Sequence, residues 1–297
     1  MNIKEGYVTF KGYRTYYRGV NLESSKTPLI LLHGGPGGTH NSYELFDELA
    51  IKDDRPIIMY DQLGCGLSSL DSPHPNLWKK ETWVDELINL RKELGLTKCH
   101  ILGHSWGGML AIIYLCDNQV EGIKSLTLSS TLSSVKLWHS EANRLIKYLS
   151  SVDQEAIKKA EESKDYETLE FKIAMNDYYK KYVSDVDKSK EDTPECLKRE
   201  KVFGKEAYET AWGKSEFTPS GTLLDYEYTD KLNKINIPTL LISGTDDEST
   251  PFQNKVMFDN LGGKKEWVLL ENSRHMTYYE QKDKYFEALI KFLNEND

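Results

Sequence analysis

The chain has 297 residues, which is enough for one large domain or two modest ones and for a sizeable buried core. With 39% hydrophobic and 11% aromatic residues, the composition excludes wholesale disorder. The 38 Lys and Arg residues against 47 Asp and Glu residues give a net charge of −9 without any dense basic run, which argues against nucleic acid as a partner.

The four cysteines lie far apart, and no two of them form a Cys-x-x-Cys pair. Neither a zinc knuckle nor a disulfide framework is therefore predicted, and the pattern favours a reducing compartment. No stretch approaches the roughly 18 consecutive apolar residues that a membrane-spanning helix needs. We therefore expect a cytoplasmic protein with no membrane partner.

Two strands are predicted at the start of the chain, at 7–10 and 13–18, joined as a hairpin by Lys11 and Gly12. Short apolar runs typical of fully buried strands follow at 28–32, 56–60, 99–102, 123–128, 238–242 and 266–270. Segments with helical periodicity separate most of these runs, and strands that alternate with helices pair in parallel. The pattern predicts an α/β fold with a mostly parallel, doubly wound sheet and an N-terminal antiparallel hairpin.

One of the connecting segments has a clear helical pattern. Trp83, Leu87, Leu90 and Leu94 recur at spacings of four, three and four residues. Gly95 follows, where a left-handed residue would end the helix. This stripe predicts a helix that packs on the sheet and takes no part in a functional site.

The alternation of strands and helices is interrupted once, between 135 and 228. These 94 residues contain no convincing buried strand and only three glycines, whereas 141–149, 153–163 and 165–182 have the pattern of amphipathic helices. The segment is too long for a loop within one sheet. We therefore predict a helical cap domain at 135–228, inserted into a domain formed by 1–134 and 229–297.

A serine occupies the sharp turn predicted after the strand at 99–102. The segment Gly103-His104-Ser105-Trp106-Gly107 has the form Gly-x-Ser-x-Gly, with a strand before it and a helical pattern after it. In such a turn, small residues on either side of the serine let neighbouring backbones approach, and the hydroxyl is presented at the start of the helix. The context predicts that Ser105 is a nucleophile.

A serine nucleophile needs a histidine to take its proton and a carboxylate to orient that histidine. His275 follows the last predicted strand, at the edge where ligands bind in open α/β sheets, whereas His104 adjoins the serine but is expected to point away from it. The acid is expected after the preceding strand, where Asp246, Asp247 and Glu248 are consecutive. Spacing alone leaves the choice among these three acids open.

The reaction also needs two hydrogen-bond donors for the negative oxygen of a tetrahedral intermediate. The backbone N–H of Trp106, which follows the nucleophile, is the first. The glycine-rich loop His33-Gly34-Gly35-Pro36-Gly37 follows an early strand and is expected to supply the second from Gly35. A phosphate-binding role for this loop is excluded, because neither Gly-Lys-Ser/Thr nor the spacing of a dinucleotide fingerprint follows.

A third segment, Tyr60-Asp61-Gln62-Leu63-Gly64-Cys65-Gly66-Leu67-Ser68, accompanies the glycine-rich loop and the serine turn. Together the three segments resemble the proline iminopeptidase and tricorn-interacting aminopeptidase branch of the α/β-hydrolase superfamily. The glycine-rich loop and the third segment are more specific to that branch than the serine turn. The resemblance covers most of the chain, including the position of the cap.

The resemblance implies that Asp247, the third residue after Gly244, is the acid that orients His275. It further implies that Glu248 and Glu216, the latter in the cap, hold the free α-amino group of a substrate. This role is chemically reasonable, because a desolvated ammonium group needs carboxylates close by.

The expected function is that of a serine aminopeptidase that releases an N-terminal residue, preferably proline, from short peptides through an acyl-enzyme. The expected partners are short peptides with a free N-terminus, and the chemistry needs no metal or organic cofactor. Aromatic side chains, among them Trp106 and tyrosines of the cap, are expected to line an apolar pocket. Two alternatives remain, a capped esterase or amidase with the same three residues and a ligand-binding protein that keeps the hydrolase fold.

Overall fold

One sheet of eight strands organises the described residues, which are 2–71 and 73–297 of a computed structural model. Met1 and Ser72, both within the predicted range 1–134, lie outside the described residues. The strands are β1 (Ile3–Phe10), β2 (Tyr13–Val20), β3 (Leu29–Leu32), β4 (Ile57–Tyr60), β5 (Cys99–His104), β6 (Ile123–Ser129), β7 (Thr239–Gly244) and β8 (Lys265–Leu270). Every predicted strand is confirmed, and the ends differ by no more than a few residues.

The strand order is β1-β2-β4-β3-β5-β6-β7-β8. Strands β1 and β2 form an antiparallel hairpin whose turn places Lys11 and Gly12 at positive φ, and β2 pairs antiparallel with β4. All pairings from β4 to β8 are parallel. The predicted mostly parallel sheet with an N-terminal hairpin is confirmed, and the carboxyl ends of its parallel strands meet along one edge.

Helices cover both faces of the sheet, which explains the continuous apolar runs. In β3, Ile30 and Leu32 belong to one hydrophobic cluster, whereas Leu29 and Leu31 belong to another, because successive side chains of a strand point to opposite faces. All four side chains are fully buried. A strand that is covered on both sides needs apolar residues at every position rather than at every second one.

The helices before β6 and after β7 are α1 (Asp47–Lys52), α2 (Lys80–Glu93), α3 (Trp106–Asp117), α9 (Pro251–Asn260), α10 (Thr277–Glu280) and α11 (Lys282–Glu295). Short 3₁₀ helices lie at His40–Phe46, Gly66–Ser68, Pro75–Leu77 and Thr229–Lys234. Helix α2 buries Trp83, Leu87 and Leu90 and is followed by Gly95 at φ 66°, as the sequence predicts. No helix in the described part of the chain is long and apolar enough to cross a membrane.

Between β6 and β7 the chain forms helices α4 (Val135–Ile146), α5 (Ser151–Ser163), α6 (Leu169–Tyr182), α7 (Glu195–Lys198) and α8 (Lys205–Ala211). Residues 135–228 are called the helical insertion below. Helix α4 starts earlier than predicted, because Ser134 caps it by accepting a hydrogen bond from the Leu137 N–H, and α6 starts later, where Thr168 caps it. Helices α4, α5 and α6 pack around a small hydrophobic cluster of their own.

Candidate active site

Ser105 lies on the sharp turn between β5 and α3. Its backbone has φ 55° and ψ −125°, a strained conformation for a residue with a side chain. Gly103 and Gly107 flank it closely, and a Cβ on Gly103 would collide with the Gly107 carbonyl. A Cβ on Gly107 would collide with the carbonyl of Leu32. The two glycines are therefore required by close packing, as the sequence analysis anticipated.

His275 and Asp247 meet at the same edge of the sheet, on the loops that follow β8 and β7. The His275 Nδ1 lies 2.8 Å from the Asp247 Oδ1, and both residues are buried. The same Asp247 oxygen accepts a hydrogen bond of 2.8 Å from the Ser249 N–H. Asp246, by contrast, is exposed and bonds to Thr245. Of the three consecutive acids, Asp247 is therefore the partner of His275 Nδ1.

Two opposing influences act on the pKa of His275. Burial lowers the pKa, but the charges of Asp247 and Glu248 outweigh it and raise the pKa to about 9. Glu248 approaches from the opposite side of the ring, since its Oε1 lies 3.7 Å from the His275 Nε2. The ring therefore lies between two carboxylates, one at each nitrogen, and these charges stabilise its protonated form.

The glycine-rich loop after β3 passes close to Ser105. A Cβ built on Gly34 would lie 3.2 Å from the Ser105 Cβ. Gly35 has φ 125°, and its N–H donates to no other group in the described part of the chain. Trp106 is the first residue of α3, so its N–H has no carbonyl one turn earlier in the helix. The N–H groups of Gly35 and Trp106, the two donors expected for an oxyanion, are thus not used in hydrogen bonds of a helix or strand.

The Trp106 indole differs from the expectation that it lines a substrate pocket. It is buried, donates a hydrogen bond of 2.7 Å from its Nε1 to the Gln62 Oε1, and packs edge-on against Trp83. Gln62 in turn donates from its Nε2 to the His33 carbonyl at 3.0 Å. The Gln62 side chain therefore joins the serine turn to the glycine-rich loop. The sequence analysis did not predict this role for Gln62, although the residue lies in the segment 60–68.

A second residue of the same segment, Asp61, holds the surrounding backbone through its carboxylate. Its Oδ1 accepts hydrogen bonds from the His40 N–H at 2.8 Å and the His40 Nδ1 at 2.7 Å, and its Oδ2 accepts one from the Leu67 N–H at 2.8 Å. Gly66 packs against this carboxylate so closely that a Cβ would collide with it. The Ser68 Oγ donates to the Asp61 carbonyl at 2.7 Å. The segment 60–68 is therefore a scaffold for the site.

Glu216 and Glu248 lie on the side of His275 that faces the insertion. Glu248 is buried, and its Oε2 has no hydrogen-bond partner among the residues that the structure describes. Glu216 is half-buried and accepts a hydrogen bond from the Tyr208 hydroxyl. Burial raises the pKa of both carboxyl groups, and the charge of Glu216 raises that of Glu248 further, against the opposing effect of His275. Among the described residues, His275 is the ion-pair partner of Glu248, and neither glutamate pairs with a Lys or Arg side chain.

Tyrosines of the insertion surround these two carboxyl groups. Burial together with the charges of Glu216 and Glu248 raises the pKa of Tyr178 and Tyr208 well above the usual value. Neutral phenols therefore face the carboxylates. This arrangement provides an apolar wall with hydroxyl donors, which suits a small cationic group better than a neutral one.

The end of α6 joins the insertion to the loops that carry Glu248 and His275. The Tyr182 carbonyl accepts hydrogen bonds of 3.2 Å from the Glu248 N–H and from the His275 N–H. The Val183 carbonyl accepts another of 3.2 Å from the Met276 N–H. Helix carbonyls at this end of a helix are otherwise unpaired, so these bonds satisfy both partners. The positions of the acid and histidine loops thus depend on the insertion.

Comparison with known proteins identifies the superfamily to which the chain belongs. Residues 27–282 match the family model described as alpha/beta hydrolase fold, and the chain belongs to that superfamily. It is 53% identical over 297 residues to the proline iminopeptidase of Lactobacillus crispatus (strain ST1) and 49% identical over 299 residues to that of Clostridioides difficile (strain 630). Both alignments cover 100% of this chain and 100% of the relative. The chain is a member of the proline iminopeptidase family.

Solved structures agree with this assignment. The crystal structure of VinJ superposes with a TM-score of 0.90 at 32% identity and covers 99% of both chains. The proline iminopeptidase of Mycobacterium smegmatis superposes with a TM-score of 0.86 at 27% identity, covering 99% of this chain and 98% of its own. The helical insertion is included in these superpositions, since nearly all of the chain is covered.

Proposed function

We propose that this protein is a serine aminopeptidase that removes an N-terminal residue, preferably proline, from short peptides. The observation that carries the proposal is the pair of acidic side chains, Glu216 and Glu248, beside a histidine that is paired with Asp247 and close to a strained serine turn. An enzyme for internal peptide bonds or simple esters has no need for two such acidic side chains, one buried and one half-buried, that pair with no Lys or Arg among the described residues.

In the proposed reaction, His275 takes the proton of the Ser105 hydroxyl while the Ser105 oxygen attacks the first carbonyl carbon of the substrate. The N–H groups of Gly35 and Trp106 hold the resulting oxyanion, and Asp247 stabilises the imidazolium. His275 then gives its proton to the leaving amine as the peptide bond breaks. Water, deprotonated by His275, finally hydrolyses the acyl-enzyme and restores Ser105.

Glu216 and Glu248 would hold the free α-amino group of the substrate. A bound ammonium supplies the missing positive charge, stabilises both carboxylates and reduces the need for a protonated His275. Substrate binding would therefore favour the neutral base that the reaction requires. Because Glu248 lies only 3.7 Å from the His275 Nε2, an ammonium held there leaves room for a single residue between it and the scissile bond.

The same proposal assigns 135–228 as a cap domain over a catalytic domain formed by 1–134 and 229–297. The cap contributes Glu216 and the tyrosines, and the catalytic domain contributes the nucleophile, acid and base. We place the enzyme in the cytoplasm, where short peptides with free N-termini are its partners, and no step uses a metal or an organic cofactor.

A panel of chromogenic substrates tests this function. Prolyl and alanyl p-nitroanilides, measured beside p-nitrophenyl acetate, should show that the prolyl amide is cleaved with the highest kcat/KM. A fluorophosphonate should label Ser105 in the wild type and leave Ser105→Ala unlabelled. Ester turnover without any cleavage of aminoacyl amides would instead identify a capped esterase, and a folded protein that is not labelled would identify a binding protein.

A further inference from the structure

His104 connects the serine turn with the loop that carries His275, although the mechanism above assigns it no role. It directly precedes Ser105 in the serine turn and is buried. Its Nε2 lies 2.9 Å from the backbone carbonyl oxygen of His275. The His104 ring also packs edge-on against the rings of His275 and Tyr278, with centroid distances of 4.7 Å and 5.2 Å.

The main chain of His275 is held from both sides. Its N–H donates to the Tyr182 carbonyl at 3.2 Å, a contact made by the insertion. Its carbonyl oxygen is the group that His104 contacts from the serine turn. The first of these contacts joins two backbone groups, whereas the second uses a side chain. A substitution of His104 therefore removes the second contact, whereas no side-chain substitution removes the first directly.

The protonation state of His104 fixes the direction of the hydrogen bond. Burial, reinforced by the nearby His275, lowers the pKa of His104 to about 3, so the ring is neutral near pH 7. A carbonyl oxygen can only accept, so the proton of the neutral ring must be on Nε2. The Nδ1 side of the ring is near the glycine-rich loop, 3.5 Å from where a Cβ on Gly34 would lie.

We propose that His104 is a positioning residue, whose Nε2–H donates to the His275 carbonyl and thereby holds the base at a fixed distance from Ser105. The inference rests on the proposed roles of Ser105 and His275 and adds a third residue that maintains their relative position. His104 does not touch the reacting atoms. It acts through the loop that carries His275, because its hydrogen bond joins the serine turn to that loop.

Three substitutions separate the hydrogen bond from the packing of the ring. His104→Gln keeps an amide donor at the level of Nε2, whereas His104→Asn moves it back to the level of Nδ1. His104→Phe keeps an aromatic ring and removes the donor. For prolyl p-nitroanilide we expect kcat to fall by about 10- to 100-fold in His104→Phe and His104→Asn, because small misplacements of a catalytic group have effects of this size.

We expect His104→Gln to stay within about threefold of the wild-type kcat and all three variants to keep KM within about threefold, because the groups that bind substrate are unchanged. His100→Phe is the matched control. His100 is also a buried histidine of β5, hydrogen-bonded through Nδ1 to the Ser125 Oγ at 2.7 Å, but it lies toward the opposite end of the strand. This control should lower the Tm and leave the kcat of the folded protein unchanged.

Equal losses in His104→Gln and His104→Phe, or a wild-type kcat in His104→Phe, would overturn the inference. Should His104→Phe fail to fold, His104→Asn gives the same comparison with His104→Gln. The rate of fluorophosphonate labelling of Ser105 should follow the same order, since labelling needs the serine and its base but no peptide. A labelled wild type without prolyl cleavage would refute the proposed substrate alone, whereas an unlabelled wild type would refute the nucleophile and this inference together.

Discussion

Glu216 is the residue at which the cap would act on the substrate. Its carboxyl group is half-buried, is hydrogen-bonded to the Tyr208 hydroxyl and forms no ion pair within residues 2–71 and 73–297. Glu216→Gln keeps the size of the side chain and an oxygen for Tyr208 but removes the charge. We expect KM for prolyl p-nitroanilide to rise about 10- to 100-fold, the range for the loss of a charge-assisted hydrogen bond.

The effect of Glu216→Gln should also be measured with N-acetylprolyl p-nitrophenyl ester, a substrate whose amine is blocked. Its KM should change little, because it carries no ammonium group. Glu170→Gln, which alters an exposed glutamate of the same insertion, should leave both substrates unaffected. Equal effects of Glu216→Gln on the two substrates would contradict the proposed role.

In the proposed mechanism, Glu248 acts on His275 as well as on the substrate. Its charge is one of the influences that raise the pKa of His275 to about 9, after burial and Asp247. The enzyme needs His275 neutral, so activity should be lost as the pH falls below this pKa. In Glu248→Gln the imidazolium loses a carboxylate 3.7 Å from Nε2, so its pKa should fall and the acidic limb of kcat/KM should move to lower pH.

A pH profile of kcat/KM with the blocked ester measures this shift without interference from the amine of the substrate. The acidic limb of the wild type should lie at higher pH than that of Glu248→Gln. A limb that stays in place or moves to higher pH would show that Glu248 does not face the base.

Helix α2 supports the loop that carries Gln62. Glu86, on this helix, is fully buried, and both of its carboxyl oxygens accept hydrogen bonds of 3.0 Å from the Leu63 N–H, while the Thr15 hydroxyl donates to one of them. Burial raises the pKa of Glu86 to about 7. The folded protein therefore binds a proton here that the unfolded chain releases, and folding becomes less favourable as the pH rises from the unfolded pKa to the folded one.

Glu86→Gln removes this proton linkage and keeps an acceptor for Leu63. Between about pH 5 and about pH 8, the free energy of unfolding of the wild type should fall by about 2 kcal/mol relative to that of Glu86→Gln. Urea denaturation at a series of pH values measures the difference. A difference that is constant over this range would show that Glu86 titrates normally.

Gly204, which directly precedes helix α8, packs against Gly37 of the glycine-rich loop and Gly64 of the segment 60–68. The Gly204 N–H donates to the Gly37 carbonyl at 2.8 Å, and a Cβ on Gly204 would lie 2.6 Å from the Gly64 carbonyl oxygen and 3.0 Å from the Gly37 Cα. Backbone on both sides leaves no flexible side chain to yield. The insertion is thus attached next to the proposed oxyanion donor as well as to the histidine loop.

Gly204→Ala should separate these two segments. We expect a loss of about 1–3 kcal/mol in the free energy of unfolding, the usual cost of overpacking, together with a lower kcat. Lys205→Ala, at the exposed next residue, is the control and should change neither. Thermal denaturation and prolyl p-nitroanilide kinetics measure both effects, and Gly204→Ala that matches Lys205→Ala in both would contradict the contact.

At the scale of the whole molecule, the sheet was predictable because its strands are short apolar runs that are buried on both faces. The serine turn and the place of His275 followed from local sequence and chain order in the same way. The choice of Asp247 over Asp246 was not local, since it depends on how one loop folds toward His275. The contacts of Gln62 with Trp106 and of Tyr182 with His275 join distant parts of the chain, so the spacing of residues in the sequence does not predict them.

The most direct test of the central claim, that this is a serine hydrolase which selects the free N-terminus of a peptide, is one pair of rates. It compares kcat/KM for prolyl p-nitroanilide with that for N-acetylprolyl p-nitroanilide, with Ser105→Ala as the blank. The two substrates share the scissile amide and differ in the ammonium group. We predict that the wild type cleaves the free amine at least about 100-fold more efficiently, in line with a lost charge-assisted contact, and that Ser105→Ala cleaves neither. Equal rates for the two substrates, or unchanged activity in Ser105→Ala, would contradict the account.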